Sequence, residues 1–239
     1  MSDSSSSHEI SPDKRAPGEL GSLHRGLSPG AALEISLHWS EPPELTEAVV
    51  VGAGFSITSS SENHSRFALH RERTLADTVS ADMAVLICGL NPSPASADSG
   101  VAFHRPGNRF WPAALAADLV SKDRDPLHAL AHHGLGMTDI VKRTTSKASE
   151  IAPGEFSEGI KRVETLVRWL KPNVVCFVGL AGWRLALDRK ATAGWQNTRL
   201  GDRPTYLMPS TSGLNASSSL ADLTSHLRKL GLASARSHR

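Results

Sequence analysis

Three short apolar runs, each followed at once by small or polar residues, constrain the fold of this chain more than any other feature. They are VLICG at 85–89, VVCFVG at 174–179 and TYLMP at 205–209. Apolar runs of this length that end at Gly or Pro are typical of fully buried strands. In an open parallel sheet, the loops that leave the carboxyl ends of such strands form the ligand-binding edge.

Strand and helix patterns alternate from residue 75 onward. Phe156, Ile160 and Val163 recur at helical spacing, and this pattern stops before Pro172. Strands joined by crossover helices give a mainly parallel sheet covered on both faces. We therefore predict an α/β fold, a three-layer α/β/α sandwich with a mainly parallel central sheet over residues 74–239. The predicted strands are 84–88, 137–141, 174–178 and 205–208, and the predicted helices are 110–120, a short one after Asp125, 156–170, 181–187 and 218–230.

The first 73 residues have a different character. Residues 1–30 are rich in Ser, Pro and Gly without apolar periodicity, which predicts a disordered tail. Residues 31–73 hold two strand-like segments around a helix-like one and predict a small appendage. This appendage weakly resembles the last strands of a class I methyltransferase, where an AGF turn precedes a closing hairpin. The Gly-rich cofactor loop of such an enzyme is missing upstream, so methyl transfer is not expected.

Charge and cysteine usage narrow the class of protein. Residues 1–73 carry 6 Lys and Arg against 10 Asp and Glu, whereas residues 74–239 carry 20 against 14, so the later part is expected to meet a polyanion. Cys88 and Cys176 lie in strand-like runs, which predicts buried free thiols; an iron–sulfur cluster needs about four thiolates. Without a signal or membrane segment, a cytoplasmic, nucleoid-associated protein is expected.

The loop after the first strand suits a flat, uncharged, hydrogen-bonding ligand such as a nucleobase. Asn91 offers a carboxamide, Phe103 offers an aromatic face, and neighbouring prolines stiffen the backbone. In the loop after the last strand, Leu214 stands alone between Gly213 and Asn215 in a run of Ser and Thr. Such a residue either folds back on the core or enters a DNA base stack as a wedge.

Together these loops resemble those of the mismatch-specific uracil/thymine DNA glycosylases of the uracil-DNA glycosylase superfamily. The similar segments are NP-x₁₀-F with PGNRFW after the first strand and MPS-x-SGLN after the last, within residues 75–230. GMTDIVKRTT at 136–145 and LKPNVVCFVGLAGW also look like the family's middle section. In the family, the catalytic Asn precedes its base-stacking aromatic residue by twelve positions, and Asn91 precedes Phe103 by twelve.

The resemblance implies a role for each matching residue. Asn91 would hold the attacking water, Phe103 would stack on the flipped base, and Leu214 would be the wedge. Gly213 and Asn215 would bring backbone to the orphaned guanine. Backbone near Ser93, with Ser210 at the rim, would read the polar edge of the base, Ser96 would face C5 with room for a thymine methyl, and Pro209, Ser210 and Ser212 would lie against the phosphates.

The chemistry of the residues agrees with this picture. Cleavage of an N-glycosidic bond produces an anionic base, which fixed N–H donors can stabilise without a strong base. An amide cannot accept a proton as a carboxylate does, so Asn91 would position water and turnover would be modest. Asp139 stands where relatives have Lys or Asn; it could reach that water or be an ordinary loop carboxylate. His104 and Arg105 are expected to contact phosphates.

These inferences predict a monofunctional glycosylase that flips uracil out of a G:U pair and leaves an abasic site. Thymine in a G:T mismatch and damaged pyrimidines stay open as further substrates. The expected partner is double-stranded DNA, with a monomeric protein and no cofactor, metal or membrane. His128, His132 and His133 have spacing that could bind a metal, but a solvated face is favoured. The alternative is a catalytically weak, base-flipping protein that binds damaged DNA.

Overall fold

The computed structural model describes the backbone of residues 7–236 and the side chains of residues 7–233. The strands are β1 (His8–Ile10), β2 (Ala32–Leu37), β3 (Phe55–Ser60), β4 (Arg66–Arg71), β5 (Val85–Gly89), β6 (Leu135–Asp139), β7 (Val174–Val178), β8 (Gly194–Trp195) and β9 (Thr205–Met208). The helices are α1 (Ala16–Gly26), α2 (Pro43–Gly52), α3 (Pro94–Ser99), α4 (Phe110–Ala116), α5 (Pro126–His133), α6 (Pro153–Leu170), α7 (Ala181–Ala186) and α8 (Leu220–Arg236).

The central sheet has the strand order β6–β5–β7–β9–β8. Its first four strands are parallel, and β8 pairs antiparallel with β9 at one edge. Every residue of β5, β6, β7 and β9 is buried, as expected for strands that are covered on both faces. The predicted α/β class and the mainly parallel central sheet are confirmed, with one antiparallel strand added.

Side chains that alternate along the strands build a core on each face of this sheet. Val85 and Ile87 point to one face, where α4 and α8 supply Trp111 and Leu227. Leu86 and Cys88 belong to the core on the other face, which is completed by α6 and α7. The sandwich therefore has the three predicted layers, and both cysteines are buried free thiols.

The amino-terminal part forms a second sheet with the order β1–β2–β4–β3. The prediction of a disordered tail over residues 1–30 is wrong for residues 8–26, which form β1 and α1; residues 1–6 lie outside the described part. Ile10 and Leu20 are buried in a third core that Leu166 of α6 joins. Such short elements depend on pairing and packing with distant partners, so their own apolar pattern was too sparse to predict them.

This amino-terminal layer packs on the α/β/α sandwich through α2 and α6. The indole of Trp39 meets that of Trp169 edge to face at a ring distance of 5.6 Å. The backbone N–H of Asp77 also donates to the carbonyl of Gly52, at 2.8 Å. The amino-terminal layer, which begins at residue 8, is therefore packed against the sandwich and hydrogen-bonded to it. Within the described residues, no helix has the length and apolar character that crossing a membrane requires.

Candidate active site

A cavity of about 100 Å³ lies at the carboxyl ends of β5 and β6. It brings together six residues that the sequence singles out, and the loop before α4 closes one side of it. These six are Asn91, Ser93, Ser96, Phe103, Arg105 and Asp139, and the other lining residues are Leu75, Leu90, Pro92, Ala102 and Asn108. The cavity thus lies at the edge of a parallel sheet where ligand sites are expected.

The side-chain amide of Asn91 is held through its nitrogen. Nδ2 donates to Thr145 Oγ1 at 2.8 Å, to the carbonyl of Arg143 at 3.1 Å and to the carbonyl of Pro92 at 3.2 Å. Because Nδ2 has only acceptors around it, the orientation of the amide is fixed. Oδ1 accepts no hydrogen bond from the described residues, so it is available to a molecule in the cavity. The sequence did not reveal Thr145, whose role depends on a loop 54 residues away.

The ring of Phe103 forms an aromatic wall of the cavity. It stacks on the buried ring of Phe110 with centroids 4.2 Å apart and an angle of 20° between the planes. Phe103 has a left-handed backbone with φ of 58°, which is unusual for a bulky residue. Hydrogen bonds hold its neighbours on both sides, from Trp111 Nε1 to the carbonyl of Ala102 and from the N–H of His104 to Ser96 Oγ. These contacts hold the backbone of Phe103 in this disfavoured conformation and so fix the position of its ring.

Ser93 and Ser96 form the polar side of the cavity. Ser93 Oγ caps α3 by accepting from the N–H of Ser96, and it donates to Ser96 Oγ, each at 3.2 Å. Ser96 is buried and its hydroxyl also accepts from the backbone of His104 at 3.2 Å. The hydroxyl of Ser96 is therefore committed to the loop, and the small side chain leaves the space in front of it open.

Asp139 ends β6 directly beside Gly89, its register partner on β5. A Cβ at position 89 would collide with Asp139 Oδ1 and lie 3.6 Å from Phe103 Cζ, so the carboxylate crosses over the glycine toward the cavity. No described residue donates a hydrogen bond to this carboxylate. Burial raises the pKa of Asp139 to about 6, and the negative charge of Asp77 adds to this, while Lys142 and Arg162 oppose it.

A buried ion cluster holds the end of β6 from behind. Asp77 accepts from Lys142 Nζ at 2.7 Å, from Arg162 Nη1 at 2.9 Å and from Thr138 Oγ1 at 2.7 Å. Burial raises the pKa of Asp77, but these two cations and the hydrogen bonds outweigh it and hold the pKa below its ordinary value. Arg162 Nη2 also donates to the carbonyl of Asp139 at 2.6 Å. The cluster therefore positions the backbone that carries the cavity carboxylate.

The loop after β9 presents Leu214 to solvent with 84% of the side chain exposed. Of the two readings that the sequence left open, burial against the core is therefore wrong. Gly213 packs against the other loop so closely that a Cβ would lie 2.9 Å from the carbonyl oxygen of Gly107. Asn215 Nδ2 donates to the carbonyl of Ser210 at 2.7 Å, and the Asn215 N–H donates to the carbonyl of Ser212 at 2.9 Å.

Arg109 joins the two loops, a role that no sequence pattern predicted. Nη2 donates to the carbonyls of Ser212 at 3.0 Å and Asn215 at 2.6 Å, while Nη1 donates to the carbonyl of Ser218. The N–H of Arg109 also donates to the carbonyl of Thr211 at 2.9 Å. All these acceptors are backbone atoms more than 100 positions away, so no side-chain pattern could reveal them. Both backbone groups of Asn215 are thus engaged within the protein.

A second cavity of about 310 Å³ lies beside the first and is lined by Arg105, Pro106, Asn108, Ser212, Gly213 and Leu214. Arg105 and Asn108 line both cavities, so the exposed leucine and the cavity of Asn91 belong to one surface. Ser210 and Pro209 line neither of them. The hydroxyl of Ser210 accepts from the N–H of Ser212 at 3.3 Å, which shapes the loop instead.

The histidines that the sequence singled out lie in two places. His104 follows the aromatic wall, and its ring Nδ1 is buried without a hydrogen-bond partner. His128 and His133 both contact the hydroxyl of Ser121 through Nε2, at 2.9 and 2.8 Å. Within residues 7–233, no group of three or more His, Cys, Asp or Glu side chains is arranged to hold a metal ion.

Comparison with known proteins gives two findings. A sequence model of the Uracil DNA glycosylase superfamily matches residues 76–230. Among solved structures, the chain is similar to a candidate uracil DNA glycosylase from Methanosarcina acetivorans, whose structure was determined by solution NMR. The identity is 26%, the match covers 66% of this chain and 97% of that chain, and the TM-score is 0.47.

Proposed function

Since the chain belongs to the uracil DNA glycosylase superfamily, we propose that it is a monofunctional, mismatch-specific DNA glycosylase. It flips uracil out of a G:U pair in double-stranded DNA, hydrolyses the N-glycosidic bond and leaves an abasic site. Thymine opposite guanine is a second candidate substrate, because the small Ser96 leaves open space in the cavity. The protein acts as a monomer and uses no cofactor.

The observation that carries this proposal is the orientation of Asn91. Three acceptors hold Nδ2, and Oδ1 is left without a partner among the described residues at the wall of a base-sized cavity. An amide oxygen in this position accepts a hydrogen bond from a water molecule and aims it at the sugar carbon of a flipped nucleotide. A purely structural asparagine would use both ends of its amide within the protein.

Asp139 assists the same water in this proposal. Its carboxylate opens onto the cavity from the neighbouring strand and accepts no hydrogen bond from the described residues. With a pKa of about 6 it is ionised at neutral pH and can take up a proton as the water attacks. The flipped base stacks on Phe103, and backbone groups near Ser93 stabilise its anion as it leaves.

The exposed loop supplies the DNA-reading part of the proposal. Leu214 fills the hole in the stack, since an aliphatic side chain that is 84% exposed has no structural reason to be apolar. Because both backbone groups of Asn215 are engaged within the protein, we assign the contact to the orphaned guanine to Gly213. We assign the phosphates on either side to Arg105 and Ser212, which line the cavity beside Leu214, and to His104 and Pro209 in the same two loops.

Single-turnover assays on duplexes with uracil, thymine or an etheno base, each opposite guanine and opposite adenine, test the proposal. Product should form fastest from G:U, and the Asn91→Ala variant should bind the same duplex without cleaving it. Tight binding of G:U with no product from the wild type would identify a damage-binding protein instead. Equal rates opposite guanine and adenine would refute mismatch specificity but leave glycosylase activity standing.

A further inference from the structure

A second groove, of about 360 Å³, separates the amino-terminal layer from α3 and the start of α5. Three arginines line it, Arg25 from α1, Arg71 from β4 and Arg124 before α5, and we call it the arginine groove. Leu75 lines both this groove and the catalytic cavity, so the two lie on opposite sides of one residue. Nothing in the proposed excision chemistry uses the groove.

Arg71 is the unusual residue in this groove. It is only 8% exposed, and its Nε donates to the carbonyl of His24 at 3.3 Å. Its two terminal nitrogens have no hydrogen bond and no ion pair with any described residue. The guanidinium of Arg25 at the rim likewise has neither, while Arg124 pairs with the adjacent Asp123. A buried guanidinium is normally paired with an acid or saturated with hydrogen bonds.

The carboxylates along the groove are already engaged. Asp98 is bound by Arg73 through two hydrogen bonds of 2.8 and 2.7 Å. Asp125 caps α5 by accepting from the N–H of His128 at 2.9 Å. Neither carboxylate forms an ion pair with Arg71, so the charge of Asp98 acts on this guanidinium only from a longer distance.

The electrostatics of the groove favour the binding of an anion. Burial lowers the pKa of Arg71, with the charge of Asp98 opposing it, and partial desolvation also lowers the pKa of the more exposed Arg25. Burial and the charge of Arg71 also lower the pKa of His24 to about 4, so this ring is neutral at neutral pH. Arg71 and Arg25 therefore carry the charge that an anion would meet.

We propose that the arginine groove binds a phosphate group, with Arg71 at its floor and Arg25 and Arg124 at its rim. The two terminal nitrogens of Arg71 can donate to two oxygens of one phosphate group, and the carboxylates along the groove are held by other residues. The phosphate comes either from the backbone of bound DNA beyond α3 or from a free nucleotide. The DNA source rests on the proposed function, whereas phosphate binding itself does not.

Calorimetric titration of the full chain with inorganic phosphate tests the groove. Arg71→Gln and Arg25→Gln should each raise the Kd at least roughly tenfold, because each removes a charged donor. Arg25 is exposed, so its variant stays folded even if Arg71→Gln does not. Arg66→Gln, an exposed arginine of the same layer outside the groove, is the matched control and should keep the wild-type Kd. Undetectable binding, or an equal Kd in all four proteins, overturns the proposal.

Binding to G:U and matched duplexes at several salt concentrations identifies the source of the phosphate. If DNA supplies it, Arg71→Gln weakens both duplexes alike and lowers the salt slope by about 1. If a free nucleotide supplies it, duplex binding is unchanged and a deoxynucleoside monophosphate binds with an affinity that Arg25→Gln reduces. Either result supports the groove, and an absence of glycosylase activity would leave both measurements intact.

Discussion

The floor of the cavity beside Asn91 and the Leu214 loop lie on one surface but are built in opposite ways. Around the floor, partly buried side chains are held by other side chains: Asn91 is oriented by its hydrogen bond to Thr145, and the ring of Phe103 is stacked on Phe110. In the loop, the key side chain is exposed, and the backbone is what the protein holds, through Arg109 and the packing of Gly213 on Gly107. Catalysis requires side chains that are already oriented, whereas a wedge requires only a fixed backbone and an exposed side chain.

The largest expected effect comes from Asn91 at the floor of the cavity, and the comparison fails if this residue is not needed for excision. Asn91→Ala should lower the single-turnover rate by roughly 10²-fold or more, because it removes the group that positions water. Binding to G:U duplex should largely survive, since the loop that reads DNA is untouched. Rapid-quench product assays and a binding titration on the same preparation separate the two. Wild-type turnover in this variant would end the assignment of Asn91.

The loop should show the reverse pattern. Leu214→Ala should weaken G:U duplex binding by about 1 to 3 kcal/mol, the scale of filling an unstacked step, while single-stranded uracil loses much less. The free energy of unfolding should stay within about 0.5 kcal/mol of wild type, because the side chain makes few contacts. Denaturant titration provides that control. Equal losses on both substrates would remove Leu214 from the role of wedge.

Asp139→Asn sharpens the comparison because rate and stability should move in opposite directions. We expect a rate roughly tenfold lower. In the wild type the rate should fall as the pH drops through about 6, where the carboxylate becomes protonated. In the variant the profile should be flat there. A rate within about threefold of wild type and an unchanged pH profile would make Asp139 structural.

The stability side of this experiment follows from the same pKa. The folded pKa of about 6 lies above the ordinary value of 3.8, so the folded state binds more protons than the unfolded state between these values. Stability therefore falls as pH rises through this window, and an ionised Asp139 costs about 3 kcal/mol near neutral pH. Asp139→Asn should recover up to that amount at neutral pH and nothing below about pH 4. Urea titrations at both pH values measure it.

Arg105, which lines both cavities, should give the smallest effect. Arg105→Ala should weaken binding to matched and mismatched duplexes alike and reduce the salt slope by about 1, the mark of a lost phosphate contact. Arg66→Ala, exposed on β4, is the control and should leave the slope unchanged. A selective loss on G:U duplex would instead place Arg105 at the flipped base.

Prediction from the sequence worked best where a local apolar pattern determines the element. The strands at 174–178 and 205–208 lie where they were predicted, because Pro or Gly residues on both sides of a buried apolar run define where the strand begins and ends. Asn91, Phe103 and Asp139 converge as expected because strand ends in a parallel sheet share an edge. The predicted helix 218–230 instead begins at Leu220 and continues to Arg236, since Gly231 does not end it.

What the sequence did not predict depends on contacts between distant backbone atoms. β1 exists only because three residues pair with β2, and β3 is mostly exposed and polar, so neither has a local apolar signal. Arg109 and Thr145 act on the site through carbonyls and an amide far along the chain. Charge counts could not show that Asp77 is paired with Lys142 and Arg162 whereas Arg71 has no ion pair among the described residues, because pairing depends on the folded geometry.

The close contact between Gly89 and Asp139 limits which substitutions this protein can accept during evolution. The space above it is occupied by the Asp139 carboxylate, so the shape of the cavity is defined by a hydrogen atom at position 89. A methyl group there would displace the carboxylate, whereas its contact with Phe103 at 3.6 Å would be ordinary packing. Positions 89 and 139 are thus coupled in any mutational path: a methyl group at 89 becomes acceptable only after 139 has shrunk. An acidic side chain can appear at 139 only in an ancestor that already has glycine at 89.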